Sequence, residues 1–299
     1  MGKTLILGAT GNVGGLTADL LHRSAPGTLR VTTSRVARLK RLGARFPNAD
    51  AVVCDWYDEA SLVAAMDGVS KLLVVTPDFV TDERVVTPNI INAAKKVGSI
   101  ELVVRLLGMP PGFTVADAPK EYVDAHCGAG LHVIAKPLLD ASGLPISYVN
   151  VPAWLMFNLS LFVAREVKPR RRIAMPAITD STRMWVSERD VAEVFAKILS
   201  DPAVDHAGTE YQLTSPERYS YADLAEVFSD VLDETVTYED DDQPLRDALG
   251  KGFDQLMTYL RYETGSYAGV VHGPAITQLL GRAQETLHNY IRANLELFR

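Results

Sequence analysis

Apolar positions in the first half of the chain alternate between short β-branched runs and stretches where they recur every three or four residues, the pattern of a parallel sheet covered by helices. Runs at 4–9, 29–35, 51–55, 71–77, 101–108 and 145–152 predict six strands. Between them, helical spacing predicts helices over 15–24, 58–68, 84–98 and 130–143. The second half loses this rhythm. Segments 187–200 and 220–234 each open on a Ser with an Asp three residues later, a capping-box-like helix start. A strand is expected at 210–215 and two or three further helices after the acidic stretch 238–244, the last over 283–298. The fold class this predicts is α/β, a Rossmann-type doubly wound parallel sheet with a smaller, mainly helical C-terminal substrate domain. Residues 1–155, with about 186–214 returning, are expected in the first domain, and about 156–185 with 215–299 in the second, whose later helices close a cleft over the sheet's carboxyl edge.

Between the first strand and first helix, the stretch LGATGNVGGL places Gly8, Gly11 and Gly14 at intervals of three. A dinucleotide-binding βα turn needs glycine where the backbone must approach a pyrophosphate and offer it the amides of a helix N-terminus. The spacing is a variant, GxxGxxG, with Thr10 where the commonest fingerprint has its second glycine. Gly8, Thr10, Gly11, Asn12, Val13 and Gly14 are therefore the expected phosphate-side contacts. The second strand ends without the acidic residue that selects NAD; Ser34 and Arg35 stand there instead, with Arg38 one turn on. A guanidinium suits a 2′-phosphate in charge and forked geometry, so NADPH/NADP is expected over NADH. An exposed basic helix face accounts for Lys40 and Arg41, and poorly for Arg35. Asp55 and Trp56 close the third strand and either flank an adenine or lead into a helix capped by Asp58. Thr76 and Pro77 end strand four, Leu107 ends strand five, and Val151 and Pro152 end strand six, where backbone contacts to a nicotinamide half are expected.

Charge and cysteine content narrow the partners. Lys and Arg number 30 against 37 Asp and Glu, a net charge of -7 that disfavours binding to a nucleic-acid backbone. The densest basic cluster, 168–173, reads as a solvated loop. Two cysteines at no metal-site spacing predict neither a disulfide framework nor a metal centre, and fit a reducing cytoplasmic setting. The most apolar stretch, 144–167, is interrupted by Asn150, Pro152 and Asn158, so no membrane span is expected. The first residues lack the plan of a secretory signal.

With the glycine loop and the basic end of strand two, the segments DWYDEASLVAAMDGV, ELVVRLLGM, LHVIAKPLLDASGLP, VPAWLMFNLS, RDVAEVFAKILSDP, GTEYQLTSPE and LLGRAQETLHNYI give nearly the whole chain the order of motifs of the NmrA-like atypical short-chain dehydrogenases/reductases, which it resembles. DWYDEAS and PAWLMFNLS are most similar to the branch with agroclavine dehydrogenase and quinone oxidoreductase-like members. The resemblance implies an NADP-binding domain, a smaller substrate domain and a cleft between them. It implies no single reaction, because the group includes reductases of quinones, iminium ions and conjugated double bonds as well as redox-sensing regulators. Ordinary short-chain dehydrogenases use a Tyr with a Lys four residues later; no lysine here has a Tyr four places earlier. In the family register His132 takes the Lys position and Gly128 the Tyr position, Lys136 stands where Glu is usual, and Leu107 with Gly108 where a Ser is common.

The expected catalytic residue is His132, which orients ribose, bonds substrate or acts as an acid, unless it is a packing histidine. Met109, Trp154, Met156, Asn158, Tyr262 and Tyr267 are the expected substrate contacts, with core packing the rival for Met156 and for the aromatic run around Tyr262. The irregular segment 109–130 suits a lid, with Tyr122 and His126 expected to face solvent. The activity expected is NADPH-dependent hydride transfer to an activated small apolar, conjugated or cationic acceptor, of a kind met in specialised metabolism, by a monomer or homodimer. Two alternatives stand beside it: a non-catalytic NADP(H) sensor, and a non-redox cyclase or isomerase retaining the cofactor fold.

Overall fold

The computed structural model describes residues 2–299. Its elements run β1 (Lys3–Leu7), α1 (Asn12–Ser24), β2 (Leu29–Thr33), α2 (Val36–Arg45), β3 (Asp50–Val53), α3 (Glu59–Met66), β4 (Val69–Val74), α4 (Glu83–Val97) and β5 (Leu102–Leu107). There follow α5 (Lys120–Asp124), α6 (Ala129–Asp140), β6 (Ile146–Asn150), β7 (Trp154–Leu155), α7 (Ala164–Arg170), β8 (Arg172–Met175), β9 (Arg183–Val186), α8 (Glu188–Ser200) and β10 (Glu210–Gln212). The chain ends with β11 (Arg218–Tyr219), α9 (Tyr221–Leu232), β12 (Thr237–Asp240), α10 (Gln243–Leu249), α11 (Phe253–Ser266), α12 (Ala275–Leu280), α13 (Leu287–Ala293) and α14 (Leu295–Phe298).

Two compact units result. The first comprises the chain up to Leu107, Leu131–Asn150 and Val191–Gln212. It holds one sheet in the order β10-β6-β5-β4-β1-β2-β3, every neighbouring pair parallel. This is the expected Rossmann-type sheet. The order reverses between β1 and β4, the topological switch at which open α/β sheets bind ligands beyond the carboxyl ends of their strands. The central strands are apolar on both faces because helices cover both; Leu5, Ile6, Leu72, Leu73, Val103 and Val104 are all fully buried.

The second unit comprises Gly108–Gly130, Val151–Asp190 and Leu213–Arg299. Two small sheets lie in it, β11-β9-β7 and β12-β8. Their strands are two to four residues long, too short to leave a readable alternation in the sequence.

Several expectations for this unit are corrected. From Gln243 the tail carries five α-helices, α10 to α14, rather than two or three, all of four to seven residues except the fourteen-residue α11, and the helix expected over 283–298 begins at Leu287 and breaks at Asn294. Thr286 caps α13 by accepting from the Asn289 amide, and the Asn294 side chain takes the Tyr290 carbonyl as that helix ends. Ser220 and Asp223 form the reciprocal capping box that their spacing predicts. At α8, Ser187 accepts from the Arg189 amide at 3.2 Å as its place at the helix start predicts and donates to Glu285, whereas Asp190 turns away to accept from Arg282 Nη2 and from the Glu285 amide. The 168–173 cluster is no solvated loop. It joins α7 to β8, and Arg172 is ion-paired to Glu166, Glu239 and Asp241 because β12 brings the acidic stretch alongside.

Candidate functional site

The β1–α1 turn is built by backbone crossings that admit no side chain. Gly8 has φ +103°, and a Cβ there would lie 2.5 Å from the Val75 carbonyl oxygen beyond β4. A Cβ on Gly14 would lie 2.4 Å from the Gly8 oxygen. The Gly11 amide donates back to Gly8 O at 2.9 Å, so the turn closes tightly on the start of α1. Gly11 is the N-cap, no side chain caps α1, and its first turn holds no acidic residue. Thr10, Gly11 and Asn12 are exposed, whereas Val13 and Gly14 are buried beneath them. The turn therefore presents uncapped amides and the positive end of the helix dipole to solvent, a donor set that fits a pyrophosphate.

At the end of β2, Ser34, Arg35 and Arg38 are all exposed, and Arg35 is the N-cap residue of α2, whose first turn also lacks acids. After β3, Asp58 caps α3 by accepting from the Ala60 amide. Asp55 accepts from the Tyr57 amide and stays exposed, with Trp56 half-buried beside it.

Beyond β4 the structure holds a charge cluster that sequence reasoning missed. Glu83, the first residue of α4, and Arg105, on β5, are 2% and 1% exposed and pair at 2.5 Å. Thr76 Oγ1 donates to Glu83 Oε1 at 2.7 Å and accepts from Arg105 Nη2 at 2.9 Å. Thr87 Oγ1 donates to the other carboxylate oxygen at 2.5 Å. Burial alone would push the Glu83 carboxyl up; the Arg105 charge, the two threonine hydroxyls and the charge of His132 outweigh it and hold the group below its ordinary value. Thr76's hydroxyl is thereby spent, and only its backbone is left to meet a ligand. The signal in the sequence was an arginine inside the apolar run ELVVRLLG, which demands a buried partner without saying which. His132 is buried in the first turn of α6, Pro77 is exposed, and Leu107 is fully buried at the end of β5.

In the second unit, Trp154 Nε1 donates to Glu263 at 2.5 Å, and Arg183 Nε reaches the same carboxylate at 3.4 Å. Val151, Pro152, Met109 and Met156 are buried, Met156 to 1%. Asn158 is half-buried just before a π-type turn, Leu159–Val163. Tyr262 is 40% exposed, and Tyr267 donates to the Gly108 carbonyl at 2.7 Å. Tyr122 does not face solvent as expected. It is 1% exposed, stacked on Tyr259 at 5.3 Å between ring centroids and edge-on to Phe113 and Tyr262, because burying a phenol ring against aromatic neighbours outweighs exposing it. Gly128 makes room for this cluster: at φ +50°, a Cβ on it would lie 2.6 Å from Tyr259 Oη. Among the described residues, no group of three or more His, Cys, Asp or Glu side chains is placed to hold a metal ion. No helix among the described residues is long and apolar enough to cross a membrane.

Fold and turn together define a member of the Rossmann-type nucleotide-binding proteins. Residues 2–248 match the NmrA-like family, and the chain belongs to it. Among curated relatives, it is 26% identical over 234 residues to NAD(P)H azoreductase of Xenophilus azovorans, covering 78% of this chain and 75% of that one. It is 23% identical over 235 residues to quinone oxidoreductase 2 of Escherichia coli K12, covering 78% and 76%. Two solved structures share the fold across both chains. Citrobacter sp. triphenylmethane reductase complexed with NADP(H) has a TM-score of 0.80 at 17% identity, covering 97% of this chain and 99% of that one. NmrA, a negative transcriptional regulator, in complex with NADP has a TM-score of 0.71 at 18% identity, covering 97% and 94%.

Proposed function

We propose that this chain is an NADPH-dependent reductase that passes hydride to a small activated acceptor: a quinone, an iminium ion or a conjugated enone. The observation that carries the reading is the uncapped Gly8–Gly14 turn followed, at the end of β2, by exposed Arg35 and Arg38 with no acid beside them. The reductase names of the two curated relatives support the class.

When bound, the nicotinamide supplies the hydride. The amides at Thr10 and Asn12 would hold the pyrophosphate, the Gly11 amide being used to close the turn on Gly8 O, and Arg35 with Arg38 would hold the 2′-phosphate. Thr76, Pro77 and Leu107 would meet the nicotinamide half through backbone groups at the carboxyl ends of β4 and β5. Reducing a plain ketone would build an alkoxide, which is expensive without a donor, and the chain has no Tyr–Lys pair to supply one. Quinones and enones spread the developing charge, and an iminium ion loses charge, so the single ring of His132 suffices as hydrogen-bond or proton donor.

Titration of the cofactor-stripped protein with NADPH, NADP⁺ and NADH tests the reading, followed by NADPH consumption against quinones and iminium compounds. Arg35→Ala is expected to weaken NADPH by about 1.5–3 kcal/mol and NADH far less, the value of one charge-assisted contact. Equal losses for both cofactors would sink the 2′-phosphate assignment. His132→Ala is expected to lower turnover while cofactor binding persists. Because the Tyr–Lys pair is missing, a sensor that binds both forms and consumes neither is the second reading; it predicts tight NADPH binding with no acceptor in the screen.

A further inference from the structure

The Glu83–Arg105 pair is poorly explained as a support for the fold. Two charges shut away from water cost more than their attraction returns unless every donor and acceptor is satisfied, and apolar residues of similar volume would serve folding as well. Here satisfaction is incomplete: Arg105 Nε and Nη1 are buried with no hydrogen-bond partner among the described residues. Nor does Glu83 cap its helix, because Asp82 does that by accepting from the Arg84 amide. The carboxylate turns inward instead, collecting Arg105, Thr76 and Thr87, and the charge of His132 reaches it.

Its position explains its presence. Thr76 follows Val75, whose carbonyl oxygen would lie 2.5 Å from a Cβ on Gly8, so the segment that the pair grips is the one the glycine turn rests on. Arg105 stands two residues before the end of β5, and Glu83 opens α4. We propose that Glu83 and Arg105 are positioning residues, which fix the backbone at Thr76 for the nicotinamide half and leave the adenosine half to the glycine turn and Arg35. The proposal rests on the reading of this unit as the NADPH site.

Its test is the double variant Glu83→Met/Arg105→Met, which removes both charges at once and leaves neither stranded. Three quantities are read: melting temperature, affinity for NADPH beside that for adenosine 2′,5′-bisphosphate, and turnover of NADPH with 1,4-benzoquinone. The expected result is a melting temperature within a few degrees of wild type, unchanged affinity for the bisphosphate, NADPH bound about tenfold more weakly, and turnover down about a hundredfold. NADPH affinity and turnover both within twofold of wild type would overturn the proposal. So would equal weakening of NADPH and bisphosphate with a lowered melting temperature, which marks a structural role. If the double variant does not fold, Thr87→Val and Thr87→Ser are judged on the same quantities: Thr87→Val should lower turnover severalfold with bisphosphate affinity intact, while Thr87→Ser, which keeps the hydroxyl on Glu83, should retain turnover. A wild-type protein that binds neither NADPH nor the bisphosphate would instead defeat the cofactor reading itself, and the proposal with it. A wild-type protein that binds NADPH without turnover leaves the affinity split to decide.

Discussion

Glu83 in the first unit and Glu263 in the second are both shut away from solvent beside an arginine, yet one is held ionised and the other is pushed toward its protonated form. The desolvation is similar; the donors are not. Glu83 receives a 2.5 Å guanidinium contact and two threonine hydroxyls. Glu263 receives the Trp154 indole and a 3.4 Å contact from Arg183, whose other nitrogens are turned to the Thr179 and Ser181 carbonyls and whose plane lies over Trp154 and Tyr221. For a buried carboxylate the number of donors aimed at it, more than the presence of an arginine, decides its charge.

The largest expected effect is the loss of either member of the tighter pair. Glu83→Ala strands the Arg105 charge in the sheet and should cost about 3–5 kcal/mol in urea unfolding. Thr87→Val, which removes one donor to an ionised group, should cost about 1.5–3 kcal/mol. Gly128→Ala presses on the Tyr259 ring and forces a side chain to a positive φ; a loss of about 1–3 kcal/mol is expected. Glu263→Gln, near-isosteric and already poor in donors, should cost only about 0.5–1.5 kcal/mol, the worth of one ordinary hydrogen bond. A larger loss from Glu263→Gln than from Glu83→Gln would break the comparison.

The pH dependence sharpens it further, because the two groups act in opposite directions. Glu83 is lowered from its ordinary value of 4.5, so its contribution is full above that value and is lost as pH falls through the folded pKa. Glu263 is raised from 4.5, so its contribution is full below that value and is lost as pH rises through the folded pKa. Unfolding free energies measured across acidic pH, wild type minus variant, should therefore rise with pH for Glu83→Gln and fall for Glu263→Gln. Parallel curves would mean that the two sites are electrostatically alike.

Sequence legibility divides along the same line. The central strands of the first unit were readable because helices bury them on both faces and they carry apolar runs, edge strand β3 was readable only by its β-branched residues since none of it is buried, and the β1–α1 turn was readable because Gly8 and Gly14 sit where any side chain would meet backbone. In the second unit, β7 and β11 are two residues long, Asp190 is diverted from its cap by Arg282, and Tyr122 leaves solvent for Tyr259. None of these outcomes has a local signature, because in each a tertiary partner outcompetes the local one.

By itself, the sequence determined the parallel sheet, the variant glycine turn, the basic end of β2, the missing Tyr–Lys pair and the family. All are properties of contiguous residues, whose spacing alone sets which face or turn they can form. Only the tertiary structure decided which buried charges meet. Glu83 and Arg105 are 22 residues apart in the chain, Arg183 and Glu263 80, and Trp154 and Glu263 109. Their pairing depends on crossovers and helix packing that bring distant positions together, and so does the number of donors that fixes each carboxylate's charge.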